Sequence, residues 1–591
     1  MADFRTVLIE DARIADITSQ EVYGVQSSAS QSTYQQFQAV SSSNSSIVFN
    51  IQVPSENIVI DRHVLIQSTL TFTVSLGGVP VGEQAFQYGL TDCIQAFPLN
   101  SLFTTTQCTI NNTSTSTNTQ DVLPMLMRMN DKRQLSRYNS MSPALPDCQW
   151  GYYKDAVGSN SNPLASFNNN SYDEDFSSRG SYPVSMVIQH YVGGVLLNDS
   201  VISTSVNDTW KVIITGKFTE PFLALSPWVN TQPANNAGLV GVNNMSWVLN
   251  IDNQCRRLFS TANTQLVPGV GGVVNLESYI TGISLGSTAQ SVGFANTRLL
   301  FNFLSLQPEQ YAKIATKNVV PYYDTPRYLT TFTNSISLAP GGSATITSQS
   351  IQLNQVPDMI LITARVPMSS QSWSNTSSFL TINGITVNFN NASGLLASAT
   401  QNDLYLLSAR NGSAQSFYEF QGKSVVNNNT NGNVALVPTT GSLLVLNPVY
   451  DFSLPSYLSS SSLGQYQFQF NLQVTNQFDF TIVPELCIVC YNSGLFITQQ
   501  GTSSIYTGIL TKQQVLDTKS QNPVPHLDSG EYARLVGGKL SNMGMSNVLK
   551  MIRDRHHPRM MMKVDELRGA GESGGAVSGG KRGSRLSKYV S

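Results

Sequence analysis

The chain has 591 residues, more than one hydrophobic core usually serves, so two domains of about 200–250 residues each are expected. Only 12% of the residues are charged, against about 25% in ordinary soluble proteins, which favours a chain that buries polar surface against copies of itself. The sequence has no run of 18 apolar residues and no basic start before an apolar core, so neither a membrane-spanning nor a secreted protein is expected. Six dispersed cysteines indicate a reducing compartment.

The net charge of −2 hides two regions of opposite sign. Residues 531–591 hold 12 Lys or Arg and 5 Asp or Glu, which leaves 22 basic and 31 acidic side chains in the first 530 residues. The body of the chain is therefore mildly acidic, and its last segment is basic.

The first predicted segment is polar after a mixed start. We expect residues 1–45 to form an N-terminal arm that orders only against a neighbour, or else a disordered terminus. Strands begin at Ile47, where Phe49, Ile51 and Val53 alternate with polar residues, and residues 69–76 alternate in the same way. An apolar residue at every second position is typical of a half-buried strand.

A turn and a helix follow. Asn111-Asn112 lies between two short strand-like runs, and residues 120–137 predict a helical segment. Residues 138–185 are rich in Pro, Gly and Asn and predict a long irregular loop, which we expect to serve as a contact surface. Strand patterns then resume at residues 186–188, 210–215, 245–251 and 299–304.

The second half repeats this order. Asn383-Gly384 lies between two alternating runs, and this pair favours the type I′ turn of a β-hairpin. Residues 401–410 form a helix-like segment after it, as residues 120–137 do after Asn111-Asn112. The repeated order predicts a duplicated β domain in which the two turns are counterparts.

The pattern as a whole predicts an all-β fold. About eight short antiparallel strands in each half, with interrupting loops, indicate two tandem jelly-roll sandwiches with short helices in the connecting loops. The expected domains are an N-terminal arm (1–45), a first jelly roll (46–307), a linker (308–330), a second jelly roll (331–510) and a flexible basic C-terminal tail (511–591).

No motif predicts catalysis. Cys487 and Cys490 have the spacing of metal ligands, but alternation directs them to opposite faces of a strand, so buried hydrophobes are expected instead of a zinc or disulfide site. His556-His557 lies among arginines that oppose a metal, and Asp173-Glu174-Asp175 is better explained as a solvated acidic loop. We therefore predict no cofactor, no metal site and no enzyme activity.

Two jelly rolls in tandem, each with a short helix after one hairpin, resemble the double jelly-roll major capsid proteins of double-stranded DNA viruses. Within that group the chain is most similar to the polinton, adintovirus and virophage lineage, over residues 46–510. The most suggestive stretches are residues 123–132, 138–143, 162–165 and 171–176.

The resemblance implies a structural role in the virion. In this family three copies form a homotrimer of pseudo-hexagonal outline, because each copy supplies two jelly rolls, and such trimers tile an icosahedral capsid. It also implies penton and minor capsid proteins as partners, and synthesis in the host cell cytoplasm or nucleus.

The tail contains two patterns of the kind cut by adenovirus-type maturation proteases. One is Leu567-Arg-Gly569-Ala570-Gly571, and the other is the Gly-Gly form Leu535-Val-Gly537-Gly538-Lys539. Small residues let an extended chain enter a narrow cleft behind one aliphatic anchor, so a viral maturation cysteine protease is an expected partner. Beyond Ala570, four basic residues are candidates for contacts with packaged DNA, the alternative being a merely soluble tail: Lys581, Arg582, Arg585 and Lys588.

The sequence leaves two other functions open. A carbohydrate-binding protein of tandem sandwiches would line a groove with aromatic residues such as Trp228, Trp373 and Tyr450, but it would need secretion. A glycan hydrolase would need a pair of carboxylates, and no persuasive pair occurs in the sequence. A major capsid protein is the function that we expect.

Overall fold

The computed structural model describes most of residues 30–517. The gaps are residues 56, 78–91, 131–185, 193–194, 198–208, 229–237, 262–278, 307–316, 333–334, 374, 377, 429–432, 453 and 456–457. The predicted irregular loop 138–185 and the tail beyond residue 517 lie outside the described residues.

The described part of the first half is built from strands, with two helices. Its elements are β1 (Ser30–Gln38), β2 (Ser41–Ser42), β3 (Ser46–Gln52), β4 (Val59–Ile60), β5 (Leu65–Gly77), β6 (Asp92–Ile94), α1 (Pro98–Leu102), β7 (Phe103–Ile110), β8 (Thr113–Thr117), α2 (Thr119–Met129), β9 (Val187–Val192), β10 (Val195–Leu197), β11 (Thr209–Pro221), β12 (Asn244–Ile251), β13 (Phe259–Thr261), β14 (Ile280–Leu285) and β15 (Phe294–Leu306).

Two antiparallel sheets form the first sandwich. One has the order β1-β15-β5-β11-β9-β10, with β14 on β5 and β4 on β15, and the other has the order β2-β3-β12-β7-β8. Alternate residues of each strand point between the sheets, so that Ile47, Phe49 and Ile51 of β3 are buried, as the period-two pattern predicts. Trp228 and Trp247 lie in this core with ring centroids 5.3 Å apart.

The described elements of the second half follow the same plan. They are β16 (Asn318–Asp324), β17 (Arg327–Thr331), β18 (Ser343–Thr347), β19 (Ile351–Gln355), β20 (Met359–Arg365), a 3₁₀ turn (Met368–Ser370), β21 (Thr381–Phe389), β22 (Ala392–Leu395), α3 (Gln401–Arg410), α4 (Phe417–Phe420), β23 (Lys423–Asn428), β24 (Asn433–Pro438), β25 (Leu444–Leu446), α5 (Pro448–Asp451), β26 (Leu463–Thr475), β27 (Glu485–Gln499), β28 (Thr502–Thr507) and α6 (Lys512–Asp517).

The second sandwich also has two facing sheets. One has the order β16-β27-β20-β25, with β17 and β28 also paired with β27. The other has the order β18-β26-β21-β22, with β19 also paired with β26. In both halves a helix follows the outer hairpin, α2 after β7–β8 and α3 after β21–β22. The internal duplication predicted from the sequence is therefore visible in the strand order.

Two predicted boundaries are wrong. The predicted arm includes β1, which pairs with β15 from Ser30 to Gln38 and is anchored by Phe37 against the first core. The predicted linker includes β16 and β17, which pair with the two ends of β27. The polar strand β1 needs only backbone hydrogen bonds and a few apolar anchors to join a sheet edge, so its sequence carries a weak strand pattern. Strand β16 is not polar, and its Val320 and Tyr322 are buried in the first core.

The predicted hairpin at Asn383-Gly384 is also wrong. Both residues lie inside β21, where Asn383 is the extra residue of a β-bulge opposite β26. The bulge shifts the apolar alternation by one residue, and this shift imitates a turn in the sequence. The hairpin tip is Asn390-Asn391, with Asn390 at φ 48°, and it matches Asn111-Asn112, where Asn111 has φ 51°.

Candidate functional site at the junction of the two sandwiches

Helix α2 is one of the elements that join the two sandwiches. A helix on a protein surface leaves one face in water, yet every residue of α2 except Gln120 is buried. A helix that is buried all round lies inside a protein core. Leu123 and Met127 pack on Ala96 and Phe97 of the first half, and the opposite side of the helix faces the second half.

The contact with the second half is mostly apolar. Val122, Met125 and Met129 of α2 pack on the outer face of the β17-β27-β20-β25 sheet. The partners on that face are Met359, Leu361, Leu443, Val445, Cys487, Val489 and Tyr491. Burial of apolar surface stabilises by about 25 cal/mol per Å², so this contact holds the two sandwiches as one body.

An ionic cluster lies within the same contact. Asp121 of α2 is fully buried and forms ion pairs with Arg327 of β17 and Arg365 of β20. Arg365 also contacts Glu485 of β27, with 3.0 Å between Nη2 and Oε2. A buried ion pair adds little net stability, but it fixes the register of the two sandwiches because loss of one partner leaves a charge without compensation.

Two further arginines of the first half extend this cluster. Nη1 of Arg257 donates to the backbone oxygen of Gln120 at 2.6 Å. Burial, together with the charge of Arg365, lowers the pKa of Arg257 to about 9. Arg128 of α2 lies over the ring of Phe379, 4.3 Å from its centroid, and its backbone oxygen accepts from the N–H of Ala414. Both arginines tie α2 to the surrounding chain with directional contacts.

A second contact between the halves involves the first hairpin tip. The Oδ1 atom of Asn112 accepts from the backbone N–H of Ser503 at 2.8 Å, and Thr113 Oγ1 donates to the Ser503 oxygen at 2.7 Å. Ser503 belongs to β28, so the β7–β8 turn docks on the β27–β28 hairpin of the other sandwich. The halves also meet elsewhere, since Val320, Tyr322 and Phe496 of the second half lie in the core of the first sandwich.

The two cysteines and the aromatic residues singled out in the sequence are all described. Cys487 and Cys490 do point to opposite faces, one into the junction and one into the second core, and burial raises the pKa of each thiol to about 12. Trp228 is fully buried, Trp373 packs against the first core, and Tyr450 is 75% exposed. The three aromatic residues therefore do not line a common carbohydrate groove.

The other residues singled out in the sequence lie outside the described part of the chain. They are the two processing patterns, the four basic tail residues, His556-His557 and Asp173-Glu174-Asp175. The expectations attached to them stay predictions.

Sequence reasoning missed the ionic cluster. Asp121, Arg327, Arg365 and Glu485 are far apart in the chain, and each one alone resembles an ordinary surface charge. One signal was available, since residues 122–129 carry apolar residues around the whole helix circumference, which indicates a helix with neighbours on all sides.

The described residues hold no group of three or more His, Cys, Asp or Glu that is suited to a metal ion. Within the same residues, no helix combines the length and apolarity needed to cross a membrane.

Comparisons with known proteins agree with this architecture. A family model described as the first domain of the Sputnik virophage major capsid protein matches residues 2–304, and one described as the C-terminal domain of major capsid protein V20 matches residues 325–494. A protein named as putative capsid protein V20 of Sputnik virophage is 25% identical over 543 residues, which cover 90% of this chain and 84% of that protein.

Solved structures show the same fold. The Sputnik virophage cryo-EM structure matches with a TM-score of 0.73 and 22% identity, over 90% of this chain and 98% of that chain. The mavirus major capsid protein matches with a TM-score of 0.61 and 16% identity, over 88% and 99% of the two chains. The predicted double jelly roll and the predicted resemblance to virophage capsid proteins are confirmed.

Proposed function

Because the chain belongs to the Sputnik virophage major capsid protein family, whose members are structural proteins and not enzymes, we propose how it builds the capsid. Three copies form a homotrimer with a pseudo-hexagonal outline, and these trimers tile an icosahedral shell in the virion. Penton and minor capsid proteins complete the shell. Each copy supplies two sandwiches, so a trimer has six lobes. The sandwiches are residues 46–307 and 331–510, with the strands β1, β16 and β17 added.

The buried junction supports this proposal most strongly. A pseudo-hexagonal block needs its two sandwiches at a fixed angle, because an error in one lobe displaces every neighbour. The fully buried Asp121 and the apolar surface around Met125 supply such a fixed connection inside one chain. A chain with only 12% charged residues also suits large contacts between copies. Because obligate interfaces commonly bury more than about 2,000 Å², we expect contacts of that size between the copies of the trimer.

The mass of the purified protein in solution tests the trimer. We expect light scattering and native mass spectrometry to give three times the 64.4 kDa chain mass, with no monomer at micromolar concentration. A stable monomer at that concentration would contradict the proposal. Electron microscopy of the expressed protein adds a direct view of the outline.

We also propose that a viral maturation cysteine protease removes the end of the tail after Ala570. The pattern from Leu567 to Gly571 supports the cut, and the alternative position follows Gly538. Loss of Gly571–Ser591 removes four basic residues and one acid, a change of −3 per copy. Over a whole shell this change would loosen contacts between the tail and packaged DNA.

Intact-mass measurement of purified virions tests the cleavage. The expected chain ends at Ala570, and a chain that ends at Ser591 would contradict it. Leu567→Asp should block the cut, because the protease loses its aliphatic anchor. Leu535→Asp is the matched control, which should leave the cut at Ala570 unchanged and would block processing only if the upstream pattern is the one used.

A further inference from the structure

The two counterpart helices carry the same charged residues at the same positions. Helix α2 has an aspartate at its third residue, Asp121, and an arginine at its tenth, Arg128. Helix α3 repeats both, with Asp403 and Arg410. Each helix follows the outer hairpin of its sandwich, so the four residues occupy the same positions along counterpart helices. The two helices are rolled differently, because Val122 and Met125 of α2 face the other sandwich, whereas the residues at the same positions of α3, Leu404 and Leu407, pack on their own core.

The environments of these residues differ. Asp121 and Arg128 face the second sandwich and are buried in the junction. Leu404 and Ser408 of α3 are buried in their own sandwich, and the opposite side of that helix is a stripe open to solvent. Leu406 in this stripe is 62% exposed and places one large apolar side chain among polar ones. The exposed stripe consists of Asn402, Asp403, Leu406 and Arg410.

The surface that receives α2 also has a counterpart. Helix α2 packs on the outer face of the sheet that contains β17, β27, β20 and β25. The equivalent sheet of the first sandwich is β1-β15-β5-β11, and its outer face carries a row of paired residues from four strands. The row is Gln38, Arg298, Gln67 and Thr219.

Arg298 lies at the centre of this face. Its Nε donates to Gln67 at 2.8 Å, and its Nη1 donates to Gln36 at 2.6 Å. Gln36 and Lys217 near it are exposed, and Tyr34 of the same edge strand is 80% exposed. The face is therefore accessible and basic. The same face also has an apolar part, because Leu300 and Leu65 are paired in the row next to Arg298 and Gln67.

We propose that the exposed stripe of α3 in one copy docks on this β1-β15-β5-β11 face in the next copy. Helix α2 docks on the corresponding sheet within the chain, although with a different side of the helix. Asp403 then approaches Arg298 as Asp121 approaches Arg327 and Arg365, and Leu406 covers Leu300. The contact is head-to-tail, because the stripe and the face are different surfaces. Such a contact closes into a ring when the rotation between copies allows it.

The inference deepens the proposed trimer and rests on it. It adds which two surfaces meet, and it explains why the helix of the second sandwich keeps an exposed leucine beside an aspartate. The contact between copies is more polar than the junction, with Gln and Thr in place of Met, Val and Cys. A polar contact is weaker than an apolar one of equal area, so copies associate reversibly while the two sandwiches of one chain stay fixed.

Disulfide cross-linking of the trimer tests the contact. In the double variant Leu406→Cys and Leu300→Cys, mild oxidation should produce covalent dimers and trimers, and neither single variant should do so. The matched control pairs Leu406→Cys with Asn50→Cys, an exposed residue of the opposite sheet, and should stay uncross-linked.

The native cysteines are controlled separately. Burial raises the pKa values of the four buried thiols and so suppresses the reactive thiolate: Cys108, Cys255, Cys487 and Cys490. Cys93 and Cys148 are changed to serine in every variant, and the parent protein with only these two changes should not cross-link.

The outcomes separate the two proposals. A trimer by light scattering that yields no cross-link between positions 406 and 300 overturns this contact and leaves the trimer intact. A monomer in the same measurement overturns both. Cross-linking with Asn50→Cys as efficient as with Leu300→Cys also overturns the contact, because the reaction would then be random collision.

Charge reversal gives a second measurement that does not depend on cysteines. Arg298→Glu or Asp403→Arg should weaken trimer association by about tenfold or more, and the two changes together should restore part of it. Asp403 also caps α3 through Thr400, so Thr400→Ala is the control that loses the cap and keeps the charge. We expect Thr400→Ala to leave association unchanged, and equal weakening by Thr400→Ala and Asp403→Arg would contradict the contact.

Discussion

Helices α2 and α3 lie at equivalent places of a duplicated fold, and they differ in what covers them. Helix α2 is buried between two sandwiches, with Asp121 inaccessible to solvent, whereas α3 exposes Asp403 and Leu406. The hairpin tips before them differ in the same way. Asn112 is bonded to β28 of the other sandwich, whereas Asn391 is exposed. The same local structure thus fixes a junction inside the chain in one half and offers a surface in the other.

The largest expected difference concerns the two aspartates. Asp121→Ala should destabilise the protein by about 3–5 kcal/mol, because Arg327 and Arg365 lose a buried partner. Asp403→Ala should have a much smaller effect, because it removes only the solvent-exposed half of a capping box. The measurement is the shift of the first unfolding transition in urea. Equal shifts would show that the two helices are equally exposed.

The next difference concerns apolar side chains. Met125→Ala removes a fully buried side chain from the junction and should cost about 2–5 kcal/mol. Leu406→Ala should change the stability of one copy by no more than about 0.5 kcal/mol, because the side chain is mostly in water. Thermal unfolding at a concentration that keeps the protein dissociated compares the two. A large loss for Leu406→Ala would place α3 inside a core of its own chain.

The strands and the duplication could be predicted from the sequence, but the junction between the two sandwiches could not. Alternation in residues 47–53 and around Cys487 and Cys490 predicted strands and the faces of their side chains, because burial on one side of a sheet imposes a period of two. The duplication was evident from the repeated order of turn and helix. The turn in the second half was misplaced, since the bulge at Asn383 and a true turn both interrupt that period.

The junction could not be predicted for a physical reason. Its ion pairs join residues separated by up to 244 positions, as Asp121 and Arg365 are, and no local periodicity records a contact of that kind. The polar strand β1 was missed for the same reason, because Ser and Gln say little about which sheet edge will receive them. Local patterns specify elements, whereas contacts between charged residues depend on the assembled fold.

A smaller effect is expected at the two hairpin tips. Asn112→Ala removes the acceptor for the Ser503 N–H and should cost about 1 kcal/mol, with increased hydrogen exchange in β28. Asn391→Ala should stay within about 0.5 kcal/mol, because its side chain is exposed. Hydrogen exchange distinguishes the two local effects directly. No change in β28 exchange for Asn112→Ala would contradict the proposed role of this turn in the junction.

The smallest expected effect is a difference in pH dependence between two carboxyl groups. Burial raises the pKa of Asp358, at the start of the sheet that receives α2, although hydrogen bonds from Ser493 and Ser460 act in the opposite direction. In α3, hydrogen bonds from Thr400 lower the pKa of Asp403. Unfolded aspartate has a pKa of about 3.9.

The signs follow from proton linkage. Folded Asp358 binds its proton more tightly than the unfolded chain does, so its contribution to stability decreases as the pH rises above about 3.9. Asp403 contributes stability above that pH and loses it as the pH falls through its lowered pKa. Relative to the parent protein, Asp358→Asn should therefore raise Tm more at pH 7 than at pH 4. Asp403→Asn should lower Tm more at pH 7 than at pH 4. Melting curves at the two pH values decide this, and a shift of the same sign in both variants would mean that the two aspartates occupy similar environments.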